Sequence, residues 1–401
     1  MSRARHLSAA ACLVAIVVLT TALAGCGSKG SGSATPVSSS SPASQSPSAS
    51  ATVAPPTASP TTSASPLATV PAGFKAASVT FVSLDEAFVL GTAPGHAVVL
   101  LRTLDRGQTW TRLAAPAVGL GRSQNGSATR VWGIRFATPS QGFVFGRGLW
   151  ETTDGGAHWS HVTAPSGAIL SLATIDGQVL ALVQPGPSGP RAVLARRPLG
   201  GGSWTTVTSV KTWGSVDPTD LISTQAGTAA LLSGGNVIVT QNGGLTVHTY
   251  PLPSTSMLGP SAVAVTSTGS LAVLDAGNGA AGSMQKLVYT SADGGATWTK
   301  AGAPSREGDP VTIAGGSPAT LLVGGASGAS FIFGSTDGGH AWKTVLVYGD
   351  GGVGWADLGF SSPTHVIVIH GPADTSGNTD GRPGQLLLSS NGGATWQAVT
   401  F

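Results

Sequence analysis

Few side chains in this chain could do chemistry. The aspartates best placed for it are Asp176, Asp217, Asp220, Asp275, Asp309, Asp350 and Asp357; past residue 25 the glutamates are Glu86, Glu151 and Glu307. Two carboxylates facing each other across a cleft can hydrolyse a glycosidic bond, one as acid and the other as base or nucleophile. Aspartates in Gly-rich stretches also close turns with no further role. The histidines His96, His158, His161, His248, His340, His365 and His370 lack the paired helical spacing of zinc enzymes. The segment Asp374-Thr-Ser-Gly-Asn378-Thr-Asp380 is rich in oxygen ligands but lacks the terminal Glu of a calcium loop, and reads as a solvated turn. No Ser-His-Asp arrangement or phosphate-binding glycine motif stands out, so neither a metal nor a cofactor is expected. A second group consists of aromatics with charged neighbours: Trp132 flanked by Arg130 and Arg135, Trp213 near Asp217, and Trp355 near Asp357. Such a set suits a protein- or glycan-binding surface. The alternative is an apolar layer that seals the interior.

The elements that must position these residues are announced by a repeat with the form Ser/Thr-x-Asp-x-Gly-x-Thr-Trp. It reads Thr103-Leu-Asp105-Arg-Gly107-Gln-Thr109-Trp110 and again Ser291-Ala-Asp293-Gly-Gly295-Ala-Thr297-Trp298, and looser copies are centred on Asp154, Asn242, Asp337 and Asn391. A worn copy ends at Trp204, and Val247 replaces the Trp in the Asn242 copy. The aromatic position recurs every 43–54 residues, from Trp110 through Trp159, Trp204, Val247, Trp298 and Trp342 to Trp396. A period of this size signals stacked supersecondary units, here one four-stranded blade per repeat. The Asp or Asn side chain is expected to accept from backbone N–H groups two residues on, closing a hairpin. Gly supplies the positive φ, and Trp adds apolar area. In the first repeat the β-rich runs are 77–83, 87–91, 97–102 and 110–113; in the second they include 131–137, 142–146 and 148–152. No sustained 3.6-residue pattern follows the N-terminal region. The chain order predicts that no blade is shared between the two ends.

The phrase resembles the Asp-box of sialidase-type β-propellers, where it joins the third and fourth strands of a blade. Sialidases are recognised by an Arg triad, a Tyr nucleophile paired with Glu, an Asp acid and an early Arg-Ile-Pro segment. This chain has no Arg-Ile-Pro, and none of Tyr250, Tyr289 and Tyr348 sits in such a nucleophile context. Xyloglucanase-like enzymes of the same type carry two propellers where this chain has one. Phrases such as Phe136-Ala-Thr-Pro-Ser-Gln-Gly142-Phe-Val-Phe-Gly146, followed by a box, resemble the photosystem II assembly-factor propellers and their non-photosynthetic bacterial relatives. That resemblance covers about four-fifths of the chain and implies a binding or assembly scaffold. No pigment- or photosystem-specific motif is present.

The N-terminus has its own logic. Arg3 and Arg5 precede an apolar run from Ala9 to Leu19, a secretory layout. The run ends Leu23-Ala24-Gly25-Cys26, which resembles the lipobox of bacterial lipoproteins, where the Cys thiol is acylated and cleavage occurs before it. A short membrane-spanning helix is the alternative. Cys12 would leave with the signal, so the mature protein has no disulfide. Removing Arg3 and Arg5 takes the 20 basic residues to 18 against 17 acidic ones, so the mature chain is near neutral and offers no nucleic-acid footprint. Residues 27 to about 73 are nearly all Ser, Thr, Ala, Pro and Gly, a disordered composition. As a coil this tether would span roughly 35–40 Å.

These readings give an all-β fold: a lipoprotein signal peptide at 1–25, a lipidated Cys26 with a disordered linker at 26–73, and a single seven-bladed β-propeller of four-stranded antiparallel blades at 74–401. The protein is expected to be a monomer, anchored to the extracytoplasmic face of a bacterial cell membrane, that binds an unidentified protein or glycan on one propeller face. Two other readings stay open: a glycoside hydrolase or lyase with a carboxylate pair in the channel, and a structural cell-envelope protein.

Overall fold

The computed structural model describes residues 69–122, 129–186, 191–211, 222–253, 259–280, 282–371 and 384–401; Cys26, Trp213, Asp217, Asp220 and the 374–380 loop lie outside them. The repeated phrase folds into the same hairpin at each of its six complete copies. In the first, Thr103 Oγ1 accepts the Gly107 N–H at 2.9 Å and donates to Asp105 Oδ1 at 2.7 Å. The same Oδ1 accepts the Thr109 N–H at 2.8 Å. Copies at Asp154, Asp293 and Asp337 repeat this relay. The carboxylate thus reaches four residues on rather than two, and the leading hydroxyl is an equal partner in the turn. Asn serves as well, because its Oδ1 accepts the same N–H while its Nδ2 donates to the Thr hydroxyl, at 2.9 Å in Asn242 and 2.8 Å in Asn391.

Each hairpin joins the third and fourth strands of an antiparallel meander. The first meander is Lys75–Phe81, Ala87–Ala93, His96–Thr103 and Thr111–Leu113, within two residues of the runs read from sequence. Seven such sheets follow in chain order. The second gains a short parallel strand, Gly119–Leu120. In the sixth, the long run Leu321–Ser335 passes through Gly328 at φ +67° and pairs its first half with Asp309–Gly315 and its second with Lys343–Gly351. One continuous run therefore supplies both middle positions. The first strands of successive blades touch around the ring, and the seventh touches the first. The protein is an all-β seven-bladed propeller.

Packing between blades follows from the box aromatic. Seven apolar clusters fill the seven interfaces, and each holds one box residue against the preceding blade. Trp159 of blade 2 sits with Phe88 and Leu100 of blade 1, and its Nε1 donates to Ala114 O at 3.0 Å. Trp204 of blade 3 donates likewise to Thr163 O of blade 2 at 2.9 Å. Trp110 closes the circle by joining Ile367, Ile369 and Leu386 of blade 7. Burying half of a Trp surface contributes roughly 2–3 kcal/mol at each interface. The blade 3–4 interface has Val247 in the same place and forgoes part of this.

As the sequence order predicts, blades 1 and 7 are each built from consecutive strands. Their interface is held by packing and polar bonds instead of a shared sheet. Phe401 meets Phe74 edge-on at 4.7 Å and Trp110 at 5.3 Å, while the Ala76 N–H donates to Gly384 O at 2.8 Å.

The box carboxylates carry a pH signature. The His158 N–H and ring hold Asp154 down to about 2, and the Thr297 hydroxyl and N–H do the same for Asp293. A lowered folded pKa stabilises the hairpin above the ordinary carboxylate value of about 4, and that contribution is lost as pH falls towards 2. Amide protection factors in the Asp154 and Asp293 hairpins should therefore fall between pH 4 and 2, while those of the Asn242 and Asn391 hairpins hold. Carboxyl carbon titrations with midpoints near 4 would contradict this.

Candidate functional site

Among the described residues singled out in the sequence, Arg130, Trp132, Arg135, Trp355 and Asp357 lie in the first strands of blades 2 and 7. Trp132 and Trp355 do not occupy one equivalent position. Trp355 opens the strand Trp355–Phe360, opposite His370. Trp132 falls within Arg130–Phe136, at a bulge between Val131 and Gly133. Bulges recur at the start of the first strand in blades 1, 3, 5, 6 and 7. An extra residue bends the strand and re-aims its side chains. In blade 2 this turns Trp132 sideways into the blade 2–3 interface, where it is 7% exposed and packs with Phe143 and Phe145. The Trp-Gly dipeptide has a steric reason: a Cβ at Gly133 would lie 2.2 Å from the Phe145 ring. Trp355 is 5% exposed between blades 6 and 7 and donates to Gly325 O at 3.2 Å. Both indoles thus occur in blade-to-blade packing, and neither offers a free face.

Asp357 has a defined task. It is buried, with φ +50°, and its Oδ2 accepts the Val79 N–H of blade 1 at 2.6 Å. Its Oδ1 accepts from Arg135 of blade 2 at 3.2 Å. Arg135 also donates to Ile134 O at 2.7 Å and Val79 O at 3.3 Å. Three first strands from blades 7, 1 and 2 are therefore tied at one point across the closure. The left-handed backbone at a non-glycine is strain held by this surrounding structure. Arg130 is half-buried at the start of its strand and donates to Leu120 O at 2.9 Å, fixing the short fifth strand of blade 2.

The other acidic candidates are dispersed. Asp176 is exposed in the tight turn before Gly177, at φ +48°. Asp275 is fully buried in blade 5. Asp309 opens the first strand of blade 6. Glu86 pairs with Arg102 at 2.6 Å, and Glu151 pairs with Arg197 at 2.6 Å while also accepting from Gln141. Arg197 is itself sandwiched between Phe143 and Trp204.

Two buried polar groups were not visible in the sequence. His370 Nε2 bonds Asp350 Oδ2, and the His370 ring stacks on Tyr348 at 4.1 Å. Asp350 also accepts from Ser330 Oγ at 2.8 Å and from the Gly352 N–H at 2.7 Å. Burial raises its pKa, yet the His370, Gly352 and Ser330 donors together hold it below the ordinary value. Ser330 bonds the carboxylate and not the imidazole, so the trio is not the nucleophile–base pair of an acyl-transfer enzyme. Lys286 is fully buried, and its ammonium donates to Ser305 O, Glu307 O and Gly308 O at 3.0, 2.8 and 2.7 Å. Burial pulls it down to about 8, against the opposing pull of Asp309 and Glu307. It therefore stays charged at neutral pH and pins the connection from blade 5 to blade 6. An isolated His at the end of Val-Ile-Val-Ile-His370 and a lone Lys in a strand carry no sequence signal for partners about 20 residues away. No cluster of metal-ligating side chains occurs among the described residues.

No protein-family model matches the chain, and no curated protein matches it. Solved structures do. A structure of YCF48 bound to a D1 peptide superposes with a TM-score of 0.51 at 17% identity, covering 83% of this chain and 95% of that one. YCF48 from Cyanidioschyzon merolae gives 0.48 at 14% identity over 82% and 96% of the two chains. The GH74 xyloglucanase from Xanthomonas campestris gives 0.40 at 14% identity over 81% and 72%. The first of these agrees with the seven-bladed fold.

Two substitutions separate packing from surface roles. Trp355→Ala should cost about 3–5 kcal/mol of stability, as expected for emptying a buried aromatic site. Asp357→Ala should cost about 3 kcal/mol by removing the charge partner of Arg135 and the acceptor of the Val79 N–H, and Asp357→Asn less, because an amide oxygen still accepts the Val79 N–H. Chemical denaturation measures both; a Trp355→Ala variant as stable as the parent would return this indole to the candidate surface.

Proposed function

We propose that this chain is a binding scaffold, held by a lipid on Cys26 at the extracytoplasmic face of a bacterial membrane, that presents one propeller face to a protein partner. What supports the reading is where the buried ionisable groups go. Glu151 with Arg197 and Asp350 with His370 join neighbouring blades, and Asp357 with Arg135 joins blade 7 to blade 2 across blade 1. In this reading the inner ring is a rigid frame, and recognition falls to the strand starts and connections around it. Arg130 sits there at the blade 2 rim. Trp132 and Trp355 would shape its floor from beneath. The fold-level neighbour YCF48 has been solved with a D1 peptide, which favours a peptide over a glycan as the ligand class.

The anchor and the binding face are tested separately. Cys26→Ala should abolish lipid labelling and move the protein out of the membrane fraction. Labelling that persists in that variant would contradict the anchor. Photo-crosslinking from position 130, compared with position 158 on a box hairpin, should capture a protein only from the former. Capture of a glycan, or from position 158 alone, would contradict the assigned face.

A further inference from the structure

We propose a second binding site, on the box-hairpin face, for a small carboxylate with an apolar body. The meander topology places the box hairpins and the loops between first and second strands at one end of the blades, away from the strand starts. At that end a cleft of about 330 Å³ opens between blades 1 and 7. Its apolar wall is Phe81, Leu84, Leu388 and Trp396, and Arg106 and Gln108 line its polar side. The volume lies at the small end for ligand sites, room for one branched side chain with its terminal group. Leu84 is 37% exposed at the rim, an apolar surface left uncovered where the chain's other leucines are mostly buried. Every blade meets its neighbours without a shared sheet, and a smaller cleft of about 230 Å³, between the box hairpin of blade 4 and Gly294 of blade 5, is lined by no arginine.

Arg106 is the residue that gives the cleft its chemistry. It takes φ +63° at the hairpin position that the other complete copies give to Gly155, Gly243, Gly294, Gly338 and Gly392. A side chain in this left-handed region is disfavoured, and Gly would relieve it. Strain kept at one copy of a repeat, at the mouth of a cavity, points to a use for the side chain. The bond from Arg106 Nε to Asp85 Oδ1 at 2.6 Å does not account for it, since both groups are more than half exposed and such a pair contributes less than the backbone conformation forfeits. Asp85 engages only Nε, so the two terminal amino groups stay available for the forked, bidentate geometry that guanidinium offers a carboxylate. The cleft lining holds no Asp or Glu that would repel an anion.

The probes are N-acetyl-leucine and N-acetyl-leucine amide, titrated against the full chain while the Trp396 indole resonance is followed. The acid should shift it at millimolar concentration and the amide at least tenfold less. Arg106→Gly should weaken acid binding at least tenfold while the melting temperature stays level or rises. Asp85→Ala should bind the acid at least as well as the parent. Equal binding of acid and amide, binding of neither, or a marked fall in melting temperature in Arg106→Gly would each overturn the proposal. None of these outcomes bears on the partner face at the strand starts, so the two sites fail independently.

Discussion

The blades of this propeller are joined to the ones before them by one recurring device, a large apolar side chain that is Trp in all but blade 4, carried in six copies on a hairpin whose shape is set by a hydroxyl, a carboxylate or amide, and glycine. The hydroxyl–Oδ1 relay fixes the turn, and the turn fixes the direction of the side chain that follows it. Trp159 against blade 1, Trp204 against blade 2 and Trp110 against blade 7 are the same contact in rotation. A single antiparallel sheet of four strands leaves both faces needing cover. Seven of them cover one another only if each is held at a constant angle to the next, which the repeated wedge supplies.

The ring still has to close, and its ends supply no common strand. Closure rests on Phe74, Trp110 and Phe401 packing together and on Asp357, which ties three first strands at one buried point. A buried carboxylate is expensive unless paired and fully hydrogen-bonded. Here it has both an arginine and a backbone N–H, and it occupies a left-handed backbone that only a well-determined surrounding would hold.

Much of the architecture could be read from residue spacing, because the box phrase couples a local turn to a fixed period. Blade number, strand order and the unshared ends follow from it. What the spacing did not reveal was radial direction. The bulge ahead of Gly133 turns Trp132 sideways, and a one-residue change in register reverses the face of every side chain beyond it. Trp132 and Trp355 look alike in sequence yet stand at different strand positions. Asp357 reads as a candidate binding-face acid beside Trp355 because its partners, Val79 and Arg135, lie 278 and 222 residues away. Lys286 and His370 were silent for a related reason: backbone carbonyls and a carboxylate on a separate strand satisfy them, and no motif encodes such partners. Arg106 was visible all along, as the one complete copy where Arg stands for Gly. Its meaning needed the sign of φ and the cavity beside it.

If Asp357 and the Phe74–Trp110–Phe401 contact close the ring, its seam is as firm as any other blade interface. Native-state amide hydrogen exchange tests it directly, because exchange resolves local opening from global unfolding. Val79, bonded to Asp357 across the seam, should then exchange in the same slow class as the first-strand amides of Val263 in blade 5 and Ile313 in blade 6. If Val79 and its blade 1 neighbours exchange together at least 100-fold faster than those amides, the seam opens as a unit, and closure by Asp357 and its apolar surroundings is refuted.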